Sequence, residues 1–104
     1  MNQTLYLLRH AKAELWYPGI NDFERSLSDR GREHMTGLCY WLPSHLAEPS
    51  VALCSPSTRT RETLEPFFDV WPDLANRTEY VDKIYEASTG TLQRLAENAF
   101  EHSA

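Results

Sequence analysis

The sequence has little cysteine and no cluster of residues that would bind a metal ion. Cys39 and Cys54 are the two cysteines among 104 residues, and their spacing is not that of a Cys-x-x-Cys pair. We therefore expect two free thiols in a reducing cytoplasm rather than a disulfide. The four histidines are scattered and share no ligand spacing with the cysteines. This pattern predicts no metal centre.

Long apolar runs and an excess of positive charge are also missing. Lysine and arginine total 10 against 15 acidic residues, a net charge of −5, which leaves no basic face for nucleic acid or a membrane surface. No segment approaches the roughly 20 apolar residues of a membrane span, and no signal peptide is recognisable. The composition, 41% hydrophobic and 24% charged, is typical of a globular domain that we expect to be soluble and cytoplasmic.

A short apolar run near the N-terminus ends in two residues that suit phosphoryl chemistry. Residues 5–8 have the composition of a buried strand in a parallel sheet, and Arg9 and His10 follow directly. Open α/β sheets place their ligand sites at the carboxyl ends of such strands. An imidazole nucleophile beside a guanidinium that binds oxyanions would suit attack on a phosphoryl group.

The rest of the chain alternates between predicted strands and helices. The elements expected after the strand at 5–8 are a helix from a Ser28 cap to about Leu42, a strand at 51–54, a helix from Ser57 or Thr58 that Pro66 kinks or splits, a strand at 78–81, and a helix capped by Thr89 or Thr91. This alternation predicts an α/β fold in which helices cover both faces of a mainly parallel sheet, a three-layer α/β/α sandwich.

A second cationic residue follows the predicted strand at 51–54. Arg59 falls in the first turn of the next helix, and a right-handed βαβ unit places that turn at the same edge of the sheet as His10. Arg9 and Arg59 would then bracket one phosphoryl group while His10 attacks in line. Each signal alone is weak, because an arginine early in a helix is usually a solvated surface residue.

Four stretches, in order along the chain, resemble the histidine phosphatase superfamily, and within it the SixA-like phosphohistidine phosphatases. They are Leu7-Leu8-Arg9-His10-Ala11-Lys12-Ala13, Arg25-Ser26-Leu27-Ser28-Asp29-Arg30-Gly31, the segment from Ser55-Pro56 through Arg59 to Thr63, and Ile84-Tyr85-Glu86-Ala87-Ser88. Together they span nearly the whole chain, and the resemblance implies the phosphoglycerate mutase-like form of the α/β/α sandwich.

The resemblance also implies a role for particular side chains. His10 would be the nucleophile that becomes phosphorylated, and Arg9, Arg25 and Arg59 would bind the phosphoryl oxygens. Glu86 falls where many members of the superfamily keep a general acid. The resemblance implies neither a metal nor an organic cofactor. The substrate would be a phosphohistidine on another protein or a small phosphate ester.

The sequence departs from the family pattern at its C-terminal end. Members of the family are longer, and their next strand ends in a second histidine, often in a Gly-His-Asn-Pro context. This sequence ends at Ala104, and His34, His45 and His102 do not lie in such a context. We therefore expect one histidine phosphatase domain over 1–104, incomplete at the C-terminus and without the strand that carries the second catalytic histidine.

Each candidate residue also has a purely structural interpretation. The ring of His10 would bind a neighbouring carbonyl, Arg25 would pair with Asp22 or Glu24 on a loop, and Glu86 would be an exposed loop carboxylate.

The shortened chain leaves a second function open as well. It would be a truncated, weakly active or inactive phosphate-binding or interaction module, and an exposed sheet edge would favour a dimer. Trp16, Tyr17 and Phe23, in the loop after His10, would either cover the mouth of the pocket or fill a gap beside a short sheet.

Overall fold

The computed structural model describes residues 4–102 and has an α/β architecture. Its sheet consists of two parallel strands, β1 (Ala52–Cys54) and β2 (Thr78–Tyr80), with Ala52 opposite Thr78 and Cys54 opposite Tyr80. The helices are α1 (Asp29–Trp41), α2 (Thr58–Leu64), α3 (Phe67–Val70) and α4 (Thr89–His102), and short 3-10 turns cover Asp22–Glu24, Leu42–Ser44, Pro72–Arg77 and Asp82–Ile84. The predicted α/β class with parallel strands is confirmed.

Helix α1 begins and ends close to where the sequence predicts. The hydroxyl of Ser28 accepts a hydrogen bond from the backbone N–H of Gly31 at 3.1 Å, which satisfies one of the free amides of the first turn. The helix ends at Trp41, and Pro43 lies in the 3-10 turn that follows. A helix from a Ser28 cap to about Leu42 is therefore confirmed.

The crossover from β1 to β2 is helical and broken at Pro66. Helix α2 ends at Leu64 and α3 begins at Phe67, so Pro66 falls between them, as predicted from its missing N–H. The last helix differs in its cap. The hydroxyl of Ser88, rather than that of Thr89 or Thr91, accepts the free backbone N–H, which Thr91 donates at 3.2 Å.

The strand predicted at residues 5–8 is wrong for the structure observed. The segment has no regular secondary structure, and the side chains of Leu7 and Leu8 are 81% and 50% exposed. A segment forms a β-strand where a neighbouring segment supplies hydrogen-bond partners for its backbone. Within residues 4–102, β1 and β2 pair with each other, and no strand is hydrogen-bonded to residues 5–8.

The core lies between the turn after His10, α1 and the crossover helices. Its buried members are Ala11, Leu27, Met35, Phe67 and Leu74. Both cysteines are free, and burial raises the pKa of each thiol. Within residues 4–102, no helix has the length and apolar character needed to cross a bilayer. The same residues contain no group of three histidine, cysteine or acidic side chains placed to hold a metal ion.

Candidate active site

His10 presents one ring nitrogen as a base. Its ring is half-buried, and Nδ1 lies 2.8 Å from the carbonyl oxygen of Ala11. Because a carbonyl oxygen can only accept, Nδ1 carries the hydrogen in this bond. In the neutral ring Nε2 then keeps its lone pair. The structural interpretation of His10 expected this contact with a neighbouring carbonyl. The same contact makes Nε2 the basic nitrogen of the ring.

The backbone after His10 is fixed to helix α2 by a buried hydroxyl. The N–H of Ala11 donates to Oγ1 of Thr63 at 3.0 Å, and that hydroxyl donates to the carbonyl oxygen of Arg59 at 2.8 Å. Thr63 is 3% exposed and Ala11 is 8% exposed. One side chain thus connects the turn that carries His10 to the helical turn that carries Arg59.

The same turn is fixed to the start of α1 on its other side. The carbonyl oxygen of Lys12 accepts the backbone N–H of Ser28 at 2.8 Å and the hydroxyl of Ser28 at 2.9 Å. Gly31 lies directly against this carbonyl, where a Cβ atom would overlap it. Two helices therefore hold the segment that follows His10, and the close approach requires glycine at position 31.

Arg59 is a buried cation with part of its hydrogen-bonding capacity unused. It is 9% exposed, Nη1 donates to the backbone carbonyl of Asp22 at 2.7 Å, and Nη2 donates to Oδ2 of Asp22 at 3.2 Å. The guanidinium carbon also lies 5.7 Å from the centre of the Tyr85 ring. Its Nε is buried and has no hydrogen-bond partner among the described residues. A buried donor without an acceptor is costly, and an anion would supply the acceptor.

Asp22 brings Arg59 together with a second predicted site residue, Arg25. Its Oδ1 accepts Nε and Nη2 of Arg25 at 3.2 and 2.9 Å, and its Oδ2 accepts the phenol of Tyr85 at 2.5 Å as well as Arg59. The phenol hydrogen bond, followed by those guanidinium groups, lowers the pKa of Asp22 below its ordinary value. The same hydrogen bond raises the pKa of Tyr85, which keeps the phenol protonated.

Arg25 therefore has the partner expected from its structural interpretation. All three of its guanidinium nitrogens donate hydrogen bonds, because Nη1 also binds the carbonyl oxygen of Glu14 at 2.9 Å. Its predicted role on the phosphoryl oxygens would use the remaining hydrogens of Nη1 and Nη2.

Arg9 and Glu86 are not drawn into this network. Both side chains are exposed, and neither makes a hydrogen bond or an ion pair with another residue of the described range 4–102. Glu86 follows Tyr85 directly and has a φ of 54°, a left-handed backbone conformation that is uncommon for a residue other than glycine or asparagine.

Sequence reasoning missed the central position of Asp22 and the contribution of Tyr85. Asp22 entered only as a possible partner for Arg25, a contact between residues three apart, which a turn makes easy. Its contacts with Arg59 and Tyr85 join residues 37 and 63 positions apart. Local spacing does not carry that information.

A cavity of about 480 Å³ opens beside Arg25 in the loop after His10. It is lined by Glu14, Leu15, Tyr17, Ile20, Glu24, Arg25 and Ser26. Among the loop aromatics, Tyr17 lines the cavity, Phe23 packs edge-on against Tyr85 at 5.2 Å, and Trp16 is 58% exposed. All of the lining residues belong to this loop, and the predicted site residue Arg25 is one of them.

The chain resembles known proteins in sequence and solved structures in fold. It is 34% identical over 86 residues to uncharacterized proteins from two strains of Mycobacterium tuberculosis, a match that covers 82% of this chain and 50% of theirs. The chain thus spans about half the length of these curated relatives.

Among the solved structures that match the fold are two that each bear the name "putative phosphohistidine phosphatase SixA". The structure from Agrobacterium tumefaciens is 28% identical with a TM-score of 0.82, over 90% of this chain and 60% of that one. The structure from Nakamurella multipartitia is 31% identical with a TM-score of 0.67, over 88% of this chain and 47% of that one.

Residues 5–103 match the family model of the histidine phosphatase superfamily, branch 1. The match includes the Arg-His pair, the loop with Arg25, the turn with Arg59 and the segment with Glu86. The chain belongs to branch 1 of the histidine phosphatase superfamily.

Proposed function

We propose that this chain is a phosphohistidine phosphatase that works through a phosphorylated His10. In the first step the lone pair of Nε2 attacks phosphorus, and the bond from phosphorus to the leaving group breaks. In the second step water attacks phosphorus, the bond from phosphorus to Nε2 breaks, and inorganic phosphate leaves. The imidazole returns to its starting form, so the cycle needs no cofactor.

The hydrogen bond from Nδ1 of His10 to Ala11 is the observation that carries this proposal. It selects the tautomer in which Nε2 is the nucleophile. The link through Thr63 ties that turn to Arg59, whose buried Nε has no partner among the residues described. Phosphoryl transfer is accelerated mainly by positioning and by electrostatic stabilisation of the phosphoryl oxygens, and a base and a desolvated cation on connected backbone segments suit both.

The remaining predicted residues receive roles in the same proposal. The exposed guanidinium of Arg9, next to the nucleophile, closes over the phosphoryl oxygens when substrate binds. Arg25 adds positive charge and the free hydrogens of its Nη atoms. Glu86 protonates the leaving group and then takes a proton from the attacking water. Its exposure keeps it in contact with solvent, which supplies that water.

We propose a phosphohistidine on a protein as the substrate, with a small phosphate ester as the alternative. The names of these two similar solved structures support the first choice. The cavity beside Arg25 also supports it, because an exposed phosphohistidine would bring neighbouring side chains of its own protein against the loop that lines this cavity.

Release of phosphate from p-nitrophenyl phosphate tests the role of His10. His10→Ala is expected to abolish release, whereas His34→Ala, an exposed histidine on α1, is the matched control and is expected to leave it unchanged. Arg59→Ala is expected to lower the rate on the order of 100-fold or more, as for other preorganised donors to a developing oxyanion. Arg61→Ala, an exposed arginine on the same helix, serves as its control.

Equal release from the wild type and His10→Ala would remove the catalytic role of His10. A wild-type protein that binds inorganic phosphate but releases none from the ester would contradict the enzyme proposal. That second result would instead support the phosphate-binding module.

A further inference from the structure

Asp22 holds Arg59 from one edge only. The backbone carbonyl and Oδ2 of Asp22 bind Nη1 and Nη2, the two nitrogens at the end of the guanidinium. Nε and the second hydrogen of Nη2 lie along the other edge, and Nε has no acceptor within the described residues. A bidentate oxyanion would need that second edge.

The carboxylate of Asp22 also binds two cations, each through a different oxygen atom. Oδ1 binds the side edge of Arg25, and Oδ2 binds Arg59 together with the phenol of Tyr85. Each oxygen therefore serves a different arginine. Rotation of the carboxyl group would break contacts to both arginines at once, so their relative positions are coupled through this one side chain.

We propose that Asp22 is the positioning residue of the anion site, holding Arg25 and Arg59 so that the buried Nε of Arg59 keeps its hydrogen unpaired for a phosphoryl group. This inference rests on the proposed function. It assigns Asp22 no contact with substrate. Its carboxylate aligns the two guanidinium groups, and Tyr85 fixes the carboxylate.

The competing interpretation is that Asp22 occupies the anion site and excludes phosphate. The backbone contact argues against it, because the carbonyl of Asp22, which is not part of the side chain, also binds Arg59, at 2.7 Å from Nη1. If phosphate had to displace the side chain of Asp22, that side chain would also lose its hydrogen bonds to Arg25 and Tyr85. The two interpretations predict opposite changes in phosphate affinity when the charge of Asp22 is removed.

The test compares Asp22→Asn with Asp73→Asn, an exposed aspartate that gives the same change in net charge. Two quantities are measured on the full chain: the affinity for inorganic phosphate, and the ¹⁵N heteronuclear NOE of the Arg25 and Arg59 Nε–H groups without phosphate. Positioning predicts phosphate affinity about tenfold weaker in Asp22→Asn, the factor for roughly one lost charge-assisted hydrogen bond. It also predicts lower NOE values at both arginines, and wild-type behaviour in Asp73→Asn.

Phosphate affinity equal to or tighter than that of the wild type in Asp22→Asn would overturn the proposal, as would unchanged NOE values. Failure of the wild type to bind phosphate would contradict the proposed function, and the NOE comparison would still decide the positioning role. Should Asp22→Asn not fold, Tyr85→Phe carries the test, since it removes only the hydroxyl that fixes Oδ2. A loss of order at both arginines is then expected, and unchanged NOE values would overturn the proposal.

Discussion

Replacing Thr63 by valine removes the hydroxyl that connects the turn after His10 to helix α2, and changes the volume of the side chain little. The N–H of Ala11 loses its acceptor in a place where Ala11 and Thr63 are 8% and 3% exposed. A buried donor without a partner costs about 1–3 kcal/mol. A loss of about 2 kcal/mol lowers Tm by roughly 8–16 °C for a domain of about 100 residues.

The assay is thermal and urea unfolding of Thr63→Val beside a matched control, Thr36→Val. Thr36 makes the same type of hydrogen bond, from its hydroxyl to the carbonyl of Arg32 four residues earlier, but it is exposed on α1. The control is expected to change stability by less than about 0.5 kcal/mol. Thr63→Ser keeps the hydroxyl and is expected to recover most of the loss. Equal costs for Thr63→Val and Thr36→Val would refute the reasoning.

Three further predictions concern packing, pH and association. Gly31→Ala forces a methyl group against the carbonyl of Lys12 and is expected to lower the free energy of unfolding, measured in urea, by about 1–3 kcal/mol. Gly37→Ala is the control: it has open space at its Cβ and is expected to stabilise α1 by up to about 1 kcal/mol. Folding lowers the pKa of Asp22 below its ordinary value of 3.8, so the contribution of Asp22 to stability is present above pH 3.8 and is lost as the pH falls through the folded pKa. The difference in urea midpoint between the wild type and Asp22→Asn should therefore narrow from pH 5 to pH 2. A difference that stays constant over this range would contradict the assignment. The edge of β1 (Ala52–Cys54) that faces away from β2 has no strand partner within residues 4–102. A concentration-dependent dimer formed through this edge is therefore expected in sedimentation velocity. A monomer at every concentration would contradict this prediction.

The elements that the sequence predicts well are those with local causes. The N-cap at Ser28 and the apolar spacing through Met35 define α1 without reference to the rest of the chain. Pro66 ends α2 because a missing N–H acts on its own helix. Ser88 was missed as the cap of α4 for a different reason: neighbouring hydroxyls at Thr89 and Thr91 are chemically equivalent candidates.

The features that the sequence does not predict depend on partners far along the chain. The apolar character of residues 5–8 is compatible with a strand, but periodicity does not say whether a neighbouring strand is there to pair with it. The pairing of Asp22 with Arg25, three residues away, was among those expected, but its contacts with Arg59 and Tyr85 join residues 37 and 63 positions apart and were not. The role proposed for Arg9 comes from its place beside His10 as well as from the resemblance, and that of Glu86 comes from the resemblance alone. These roles stay predictions, as do those of His10, Arg25 and Arg59.

The most direct test of the account is the position of the phosphoryl group on the protein. Brief exposure to a phosphohistidine peptide, followed by denaturation in base, should trap an acid-labile, base-stable phosphate on His10. ³¹P NMR of the isolated peptide should show the phosphorus bonded to Nε2, since Nδ1 donates its hydrogen to Ala11. Phosphate on Nδ1, or a label that persists in His10→Ala, would contradict the account.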